Sequence, residues 1–176
     1  MKFSEWLIET KNIPQLRRHI EQGFPDTKKR QHITHEVKIT KLQYIPITYN
    51  NILRIQSESL TDGGNVHKQL MDIVNVTFQP PNSENTVGVT DELGRERFVT
   101  PVELNVHNVK VNCDCKDYEF RFANFNIQNK CHLGPPPPPY VRKTTTRPEV
   151  NPMKVPGMCK HLLRVTEDMQ KQGILI

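Results

Sequence analysis

The sequence predicts an α+β fold, in which a small antiparallel β-sheet has two short helices before it and one helix after it. From Glu36 to Phe78, β-branched residues recur in short alternating runs separated by polar turns, a pattern typical of strands. Helical spacing of apolar residues appears near the two ends of the chain. With 176 residues and 35% hydrophobic residues, the chain suits one core with extended appendages.

Two short helices are predicted near the amino terminus, at residues 3–10 and 14–22. Apolar residues recur there at helical intervals, and Pro14 stands where a first helical turn tolerates proline. The basic run Lys28-Lys29-Arg30 follows in a loop. We therefore assign residues 1–35 to a helical pair and a basic linker.

The predicted sheet occupies residues 36–112. The run Asp62-Gly63-Gly64-Asn65 is a turn signal, and alternation resumes at Val74, Val76 and Phe78, so a hairpin across the turn is expected. Residues 66–71 also fit a loop or a half-turn of helix. A strand from Val102 to Val111 is expected to be the best in the sheet. Because its alternation changes phase at His107 and Asn108, we expect a β-bulge there. The polar stretch 82–97 receives no assignment.

Three of the four cysteines and one histidine fall into two close pairs, Cys113-Asp114-Cys115 and Cys159-Lys160-His161. Thiolate and imidazole are the ligands that zinc prefers, and four of them close a tetrahedral structural site. The first pair ends a strand that must curl at Asp114, because two residues along a strand separate side chains by about 6.5 Å. The second pair begins a predicted helix ending near Gln172. A single zinc ion is therefore expected to join the sheet to the C-terminal helix.

The sequence leaves other arrangements open. Two disulfides are numerically possible, and buried cysteines are common as small apolar residues. Cys131 and His132, which are adjacent between the two pairs, are possible substitute ligands. A closed four-ligand site has no position for a catalytic water, and the sequence lacks a nucleophile elbow, a glycine-rich phosphate loop and a zinc-protease motif. The protein is expected not to be an enzyme.

The densest aromatic cluster follows the first pair of ligands. Its spacing fits both a strand and a helix, and it comprises Tyr118, Phe120, Phe122 and Phe125. In either case the rings are expected to pack over the metal site and to shield the thiolates from water.

Five consecutive prolines, Pro135–Pro139, lie between the two pairs of ligands. They predict a polyproline II rod of about 15 Å. Because the ligand pairs pin both ends, the Pro-rich loop 134–156 is expected to project from a zinc module at residues 113–176. Three residues at its far side are predicted to contact a neighbouring protein, namely Tyr140, Arg142 and Lys143.

The order Cys-x-Cys, long gap, Cys-x-His resembles the SWIM-type zinc finger, and here it reads C-D-C at 113–115 and C-K-H at 159–161. With the proline run and the segment N-P-M-K-V-P-G-M-C-K-H-L-L from Asn151 to Leu163, the last third of the chain looks like variants encoded among virion structural genes of tailed phages. The resemblance implies a virion protein at the neck or head–tail joint, in the tail or at an accessory capsid position. Its implied partners are other virion proteins in a symmetric multi-copy assembly, and its implied location is the virion, with the host cytoplasm during assembly.

The alternative is an intracellular DNA-binding or regulatory SWIM-type module. As a class, SWIM domains are associated with DNA binding, protein interaction or both. The formal net charge of +5 is mildly basic, and basic side chains bind phosphate. No membrane partner is expected, because no stretch approaches the roughly 20 apolar residues of a membrane span.

Overall fold

The computed structural model describes residues 12–16, 34–61, 63–91, 93–139, 141, 146 and 149–176. Residues 13–16 are helical, which is the described part of the second predicted helix. The first predicted helix, the rest of the second and the basic run at 28–30 lie outside the described residues.

The described residues contain seven strands and, besides residues 13–16, three helical segments of five residues or more. The strands are β1 (Lys38–Ile47), β2 (Ile52–Leu60), β3 (Val66–Val74), β4 (Phe78–Gln79), β5 (Val87–Thr90), β6 (Glu96–Val99) and β7 (Val109–Cys113). A short 3-10 helix, Thr48–Asn50, joins β1 to β2. The helical segments are a π-helix at Tyr118–Ala123, α1 (Asn124–Gln128) and α2 (Lys160–Lys171).

The larger sheet has four antiparallel strands in the order β1-β2-β3-β7. β2 ends at Leu60 and pairs with β3, which begins at Val66, so the expected hairpin is present. Residues 66–71 belong to β3, not to a loop or a half-turn of helix. The predicted α+β class, the antiparallel sheet and the C-terminal helix are confirmed. Within the described residues, no helix is long and apolar enough to cross a lipid bilayer.

The core-facing side of this sheet is built from cross-strand rows of side chains. Two rows are apolar and nearly inaccessible to solvent: Leu53–Ile73–Val109 and Ile55–Met71–Val111. Each fully buried aliphatic side chain of this size contributes about 1.5–3 kcal/mol relative to an exposed one. The next row on the same face is polar, and it ends at Cys113: Ser57–Gln69–Cys113.

The smaller sheet, in the order β4-β6-β5, contains much of the stretch that received no assignment from the sequence. Its turn is held by Asp91, whose side chain accepts hydrogen bonds from the backbone N–H groups of Leu93 and Arg95 at 2.9 and 2.8 Å. The side chains of Val89 and Val99 in this sheet are buried. β4 has two residues and β5 and β6 have four each, and such strands are too short for alternation to be recognised among polar neighbours.

The predicted strand from Val102 to Val111 is wrong. Val102 instead pairs with the C-terminal end of the chain, donating to the Ile174 carbonyl at 2.8 Å and accepting from the Ile176 N–H at 3.0 Å. A turn at residues 104–106 then leads to β7, which begins at Val109. The change of phase therefore marks a break between two separate pairings, not a bulge within one strand.

Candidate metal centre

Four buried side chains converge where β7, the following helical stretch and α2 meet. Their ligand atoms all lie within 4.8 Å of one another, and they are Cys113, Cys115, Cys159 and His161. The Nδ1 atom of His161 is 3.8 Å from the sulfurs of both Cys113 and Cys159. The edges of a tetrahedral zinc site with thiolate and imidazole ligands measure about 3.6–3.8 Å. The geometry and the donor set therefore fit a bound metal ion.

The first ligand pair is shaped by the end of β7. Cys113 is the last residue of the strand, and Asp114 turns the chain back toward β3. The Asp114 N–H donates to the Lys68 carbonyl at 3.2 Å, and the Asp114 carboxylate accepts from the Lys68 N–H at 3.0 Å. This is the curl that the spacing of the two cysteines requires, and it brings the Cys115 sulfur beside that of Cys113.

Cys115 lies at the start of a continuous helical stretch that includes the π-helix and α1. Its carbonyl accepts from the Glu119 N–H at 3.0 Å, and its sulfur accepts from the Tyr118 N–H at 3.3 Å. Unpaired N–H groups at a helix N-terminus favour negative charge and stabilise thiolates. The helix thus provides a favourable position for an anionic sulfur ligand.

The second ligand pair opens α2, as predicted. Cys159 is the N-cap residue in an extended conformation, and His161 lies in the first turn. The chain before it is fixed by Asn126, a fully buried residue of α1. The Asn126 carbonyl oxygen accepts from the Gly157 N–H at 2.9 Å, and its amide donates to the Gly157 carbonyl at 3.0 Å. One side chain thereby positions the backbone two residues before a ligand.

A second buried asparagine holds the preceding turn. The amide of Asn151 donates to the carbonyls of Arg121 and Val155, both at 2.8 Å, and its oxygen accepts from the Val155 N–H at 3.2 Å. Together, Asn126 and Asn151 attach the segment before α2 to the helical stretch. Sequence reasoning missed both. Asn151, in a Pro-rich loop, has the ordinary interpretation of a turn residue, and the partner of Asn126 lies 31 positions away at Gly157.

The three thiols differ in acidity. Hydrogen bonds from the Cys113 and Cys159 thiols lower the pKa of Cys115, while burial raises the pKa of Cys113 and of Cys159 well above the usual value. Of the three sulfurs, that of Cys115 therefore has the surroundings most favourable to a thiolate. Metal ligands must be deprotonated, so metal binding is expected to release protons from the thiols whose pKa is raised.

The His161 ring is buried and oriented by packing. Among the described residues, its Nε2 atom has no hydrogen-bond partner, whereas Nδ1 faces the sulfurs. The His67 ring lies beside it, with the ring centroids 4.5 Å apart. His67 is in turn bonded to Asp114 at 3.1 Å. The arrangement leaves Nδ1 as the nitrogen available to a metal ion.

The possible substitute ligands lie elsewhere. Cys131 is fully buried, and its carbonyl accepts from the Val111 N–H at 2.8 Å, so it lies along the edge of β7. The Nδ1 atom of His132 is 3.0 Å from the Tyr118 hydroxyl, and burial lowers the pKa of His132. Within the described residues, neither belongs to the cluster that could hold a metal ion. The predicted contact residues Tyr140, Arg142 and Lys143 lie outside the described residues.

The aromatic cluster is helical, which decides between the two patterns that fit its spacing. Tyr118 and Phe122 are 1% and 0% exposed, whereas Phe120 is 39% exposed. The Tyr118 hydroxyl donates to the Val111 carbonyl at 2.7 Å. Two of the four rings, rather than all four, therefore form the fully buried core at this position.

A cleft of about 430 Å³ lies beside Cys113. Lys68, Leu70, Tyr118 and His132 line it together with Pro135 and Pro137. The Pro135 carbonyl is 3.3 Å from His132 Nε2. The first part of the Pro-rich loop thus runs against the body of the protein, contrary to the expectation that the loop projects from residue 134.

Comparisons of the chain with protein-family models, with curated proteins and with solved structures find no match. The fold and the site define an α+β protein with a buried Cys₃His cluster that can hold a metal ion. The arrangement is compatible with a Cys-x-Cys…Cys-x-His metal site.

Proposed function

We propose that the cluster binds one zinc ion and that the role of this ion is structural. The observation that carries the proposal is the donor set itself: three sulfurs and one imidazole nitrogen, all buried, converging within 4.8 Å. Sulfur-rich ligand sets of this kind favour zinc among the common divalent metals of proteins. Four protein ligands leave no open coordination position, which supports a non-catalytic protein.

In this proposal, the ion fastens three elements to one another. Cys113 belongs to the end of β7, Cys115 to the start of the helical stretch, and Cys159 and His161 to the start of α2. Binding free energy at a structural zinc site is also folding free energy, because the unfolded chain does not present the site. Zinc is therefore expected to stabilise the packing of α2 on the sheet.

Elemental analysis of the freshly purified chain tests the zinc assignment. We expect one zinc per wild-type chain, and loss of zinc in Cys113→Ser and Cys159→Ser. Cys131→Ala is the matched control, because Cys131 is equally buried but lies outside the cluster. A metal-free wild type under reducing, zinc-replete conditions, or loss of zinc only in Cys131→Ala, would overturn the assignment.

We further propose that the protein is a structural component of a tailed-phage particle that acts through protein–protein contacts, at the neck or head–tail joint, in the tail or at an accessory capsid position. Support comes from the SWIM-like ligand order, from the Pro-rich sequence between the ligand pairs and from the closed site. Exposed polyproline segments are recurrent protein ligands. Four of the five prolines, at positions 135, 136, 138 and 139, are exposed.

Mass spectrometry of purified particles of a phage that encodes the chain tests this role. We expect the protein in the particles, and we expect Tyr140→Ala/Arg142→Ala/Lys143→Ala to be left out of them although its zinc content is normal. A DNA-binding or regulatory module, the alternative function, would be absent from particles and would bind duplex DNA with an affinity that falls as salt rises.

A further inference from the structure

A row of buried polar side chains crosses the sheet and ends at the metal centre. Ser57 on β2 lies opposite Gln69 on β3, and Gln69 lies opposite Cys113 on β7. Ser57 and Gln69 are 3% and 2% exposed, and Ser59, which also contacts Gln69, is 0% exposed. Burying polar groups is costly unless they are hydrogen-bonded, and the adjacent row on one side, Ile55–Met71–Val111, is apolar. The presence of polar side chains in this buried row therefore requires an explanation that applies to this position.

The orientation of the Gln69 amide follows from its neighbours. Its oxygen accepts from the Ser57 hydroxyl at 2.9 Å. Its nitrogen lies 2.8 Å from the His67 carbonyl, 2.9 Å from the Ser59 hydroxyl and 3.9 Å from the Cys113 sulfur. A carbonyl and a thiolate can only accept. The reversed amide would place its oxygen against both of them, so the N–H groups must face Cys113.

We propose that Gln69 is a positioning residue of the metal centre, which donates an N–H group to the Cys113 thiolate and thereby keeps that sulfur bound to zinc. This inference rests on the proposed zinc function. A zinc ion with three thiolates and a neutral imidazole carries a net charge of −1, which is unfavourable in a buried site unless donors offset it. The Tyr118 N–H donates to the Cys115 sulfur at 3.3 Å and so offsets part of this charge, and Gln69 offsets it in the same way at Cys113.

The hydrogen bond withdraws electron density from the sulfur, so the thiolate becomes less basic and reacts less readily with protons and alkylating agents. Loss of zinc through protonation or modification of Cys113 is therefore slowed. Groups that hydrogen-bond to metal ligands commonly change metal affinity by about 10- to 100-fold when they are removed. The His67 carbonyl, which can only accept a hydrogen bond, holds the Gln69 amide in the orientation that this role requires.

Cobalt(II) substitution of the full chain provides a direct readout, since its sulfur-to-metal charge-transfer band reports on the thiolate. In Gln69→Met, which preserves side-chain length, we expect the band to move to longer wavelength because the sulfur electrons are no longer stabilised by the donor. We also expect about 10-fold weaker zinc affinity in competition with a chelator and faster zinc release by a thiol-modifying reagent.

Ser57→Ala is the matched control, because it removes a buried hydrogen bond of the same row on the side of the amide that faces away from the sulfur. We expect lower stability but an unchanged band. If Gln69→Met does not fold, Ser59→Ala provides the test. It removes the Ser59 hydroxyl, an acceptor 2.9 Å from the Gln69 nitrogen that competes with the Cys113 sulfur. The N–H group then donates to Cys113 alone on that side, and we expect the band to move to shorter wavelength.

The outcomes separate the two proposals. A wild-type chain that binds neither cobalt nor zinc overturns the zinc function itself. A wild-type chain that binds both, with a band and a release rate that Gln69→Met leaves unchanged, overturns only the role of Gln69. Equal shifts in Gln69→Met and Ser57→Ala also overturn it, because they indicate a general loosening of the sheet.

Discussion

Zinc is expected to raise the free energy of unfolding by mass action, and Cys159→Ser is expected to remove most of this gain. An ion that binds only the folded chain adds about 4 kcal/mol at a free concentration 1,000 times its Kd. Structural zinc sites bind with about 10–16 kcal/mol, so one of four ligands accounts for about 3 kcal/mol. Cys159 is a member of the cluster and the N-cap of α2. In the same zinc buffer, the variant is therefore expected to gain only about 1 kcal/mol.

Urea unfolding followed by circular dichroism, in a zinc buffer and in excess chelator, measures this gain. With a slope of about 2 kcal/mol per molar urea, 4 kcal/mol corresponds to a shift of the wild-type midpoint by about 2 M. Cys131→Ala is expected to lower the midpoint in both solutions and to keep the full shift. The reasoning is refuted if wild type shows no shift, or if Cys159→Ser shifts as far as wild type.

Three other perturbations follow from the contacts described. First, the free energy of unfolding of the metal-free protein is expected to fall above about pH 9, by up to about 1.4 kcal/mol per pH unit for each of Cys113 and Cys159. The reason is that their raised pKa keeps both thiols protonated in the folded chain, while the thiols of the unfolded chain ionise. Unfolding at pH 8 and pH 10, with and without zinc, measures this loss, which the zinc-loaded protein should not show. Second, Arg54→Leu is expected to lower the free energy of unfolding by about 2 kcal/mol, because the substitution leaves Asp72 buried without its two 2.7 Å hydrogen bonds. Urea unfolding measures this loss. Third, Asn126→Ala removes both hydrogen bonds to Gly157, so it is expected to lower the free energy of unfolding by about 2–4 kcal/mol and to weaken zinc binding. Urea unfolding and chelator competition measure the two effects.

Each of these predictions has a control or an outcome that would contradict it. Equal pH dependence with and without zinc would contradict the assignment of the thiols. Arg54→Leu/Asp72→Leu should recover part of the loss, and a double variant less stable than Arg54→Leu would contradict the cost of a buried unpaired charge. Asn124→Ala, on an exposed position of α1, should change neither stability nor zinc binding, unlike Asn126→Ala.

The ligand cluster was predictable because its information is local. Cys113 and Cys115 end an alternating run, Cys159 and His161 open a helical one, and thiolate and imidazole have few other common uses in close pairs. β2 was recognisable in part for a similar reason, since the β-branched run at Ile52–Ile55 lies in its first half. Most of β3 was not, because residues 66–71 do not alternate between apolar and polar and also fitted a loop or a half-turn of helix.

The surroundings of the cluster were not predictable, because they depend on pairings between distant residues. Gln69 reaches Cys113 only through the register of β3 and β7, and a glutamine in a strand has no distinctive sequence signal. Asn126 meets Gly157 across 31 positions. The failed strand at Val102 has the same cause: two unrelated pairings were adjacent in sequence, and alternation alone cannot show that the partner changes.

The two attachments on either side of the proline run have a consequence for how this protein can change. The strand-like segment at Cys131–Leu133 is bonded to β7, and Asn151 is bonded to the helical stretch, so the interval 134–150 begins and ends at fixed points. Doubling the length of such a connection costs only about 0.6 kcal/mol. Evolution, or a protein engineer, can therefore lengthen this interval or change its sequence while the two attachments at its ends, and the ligand cluster that they support, are kept.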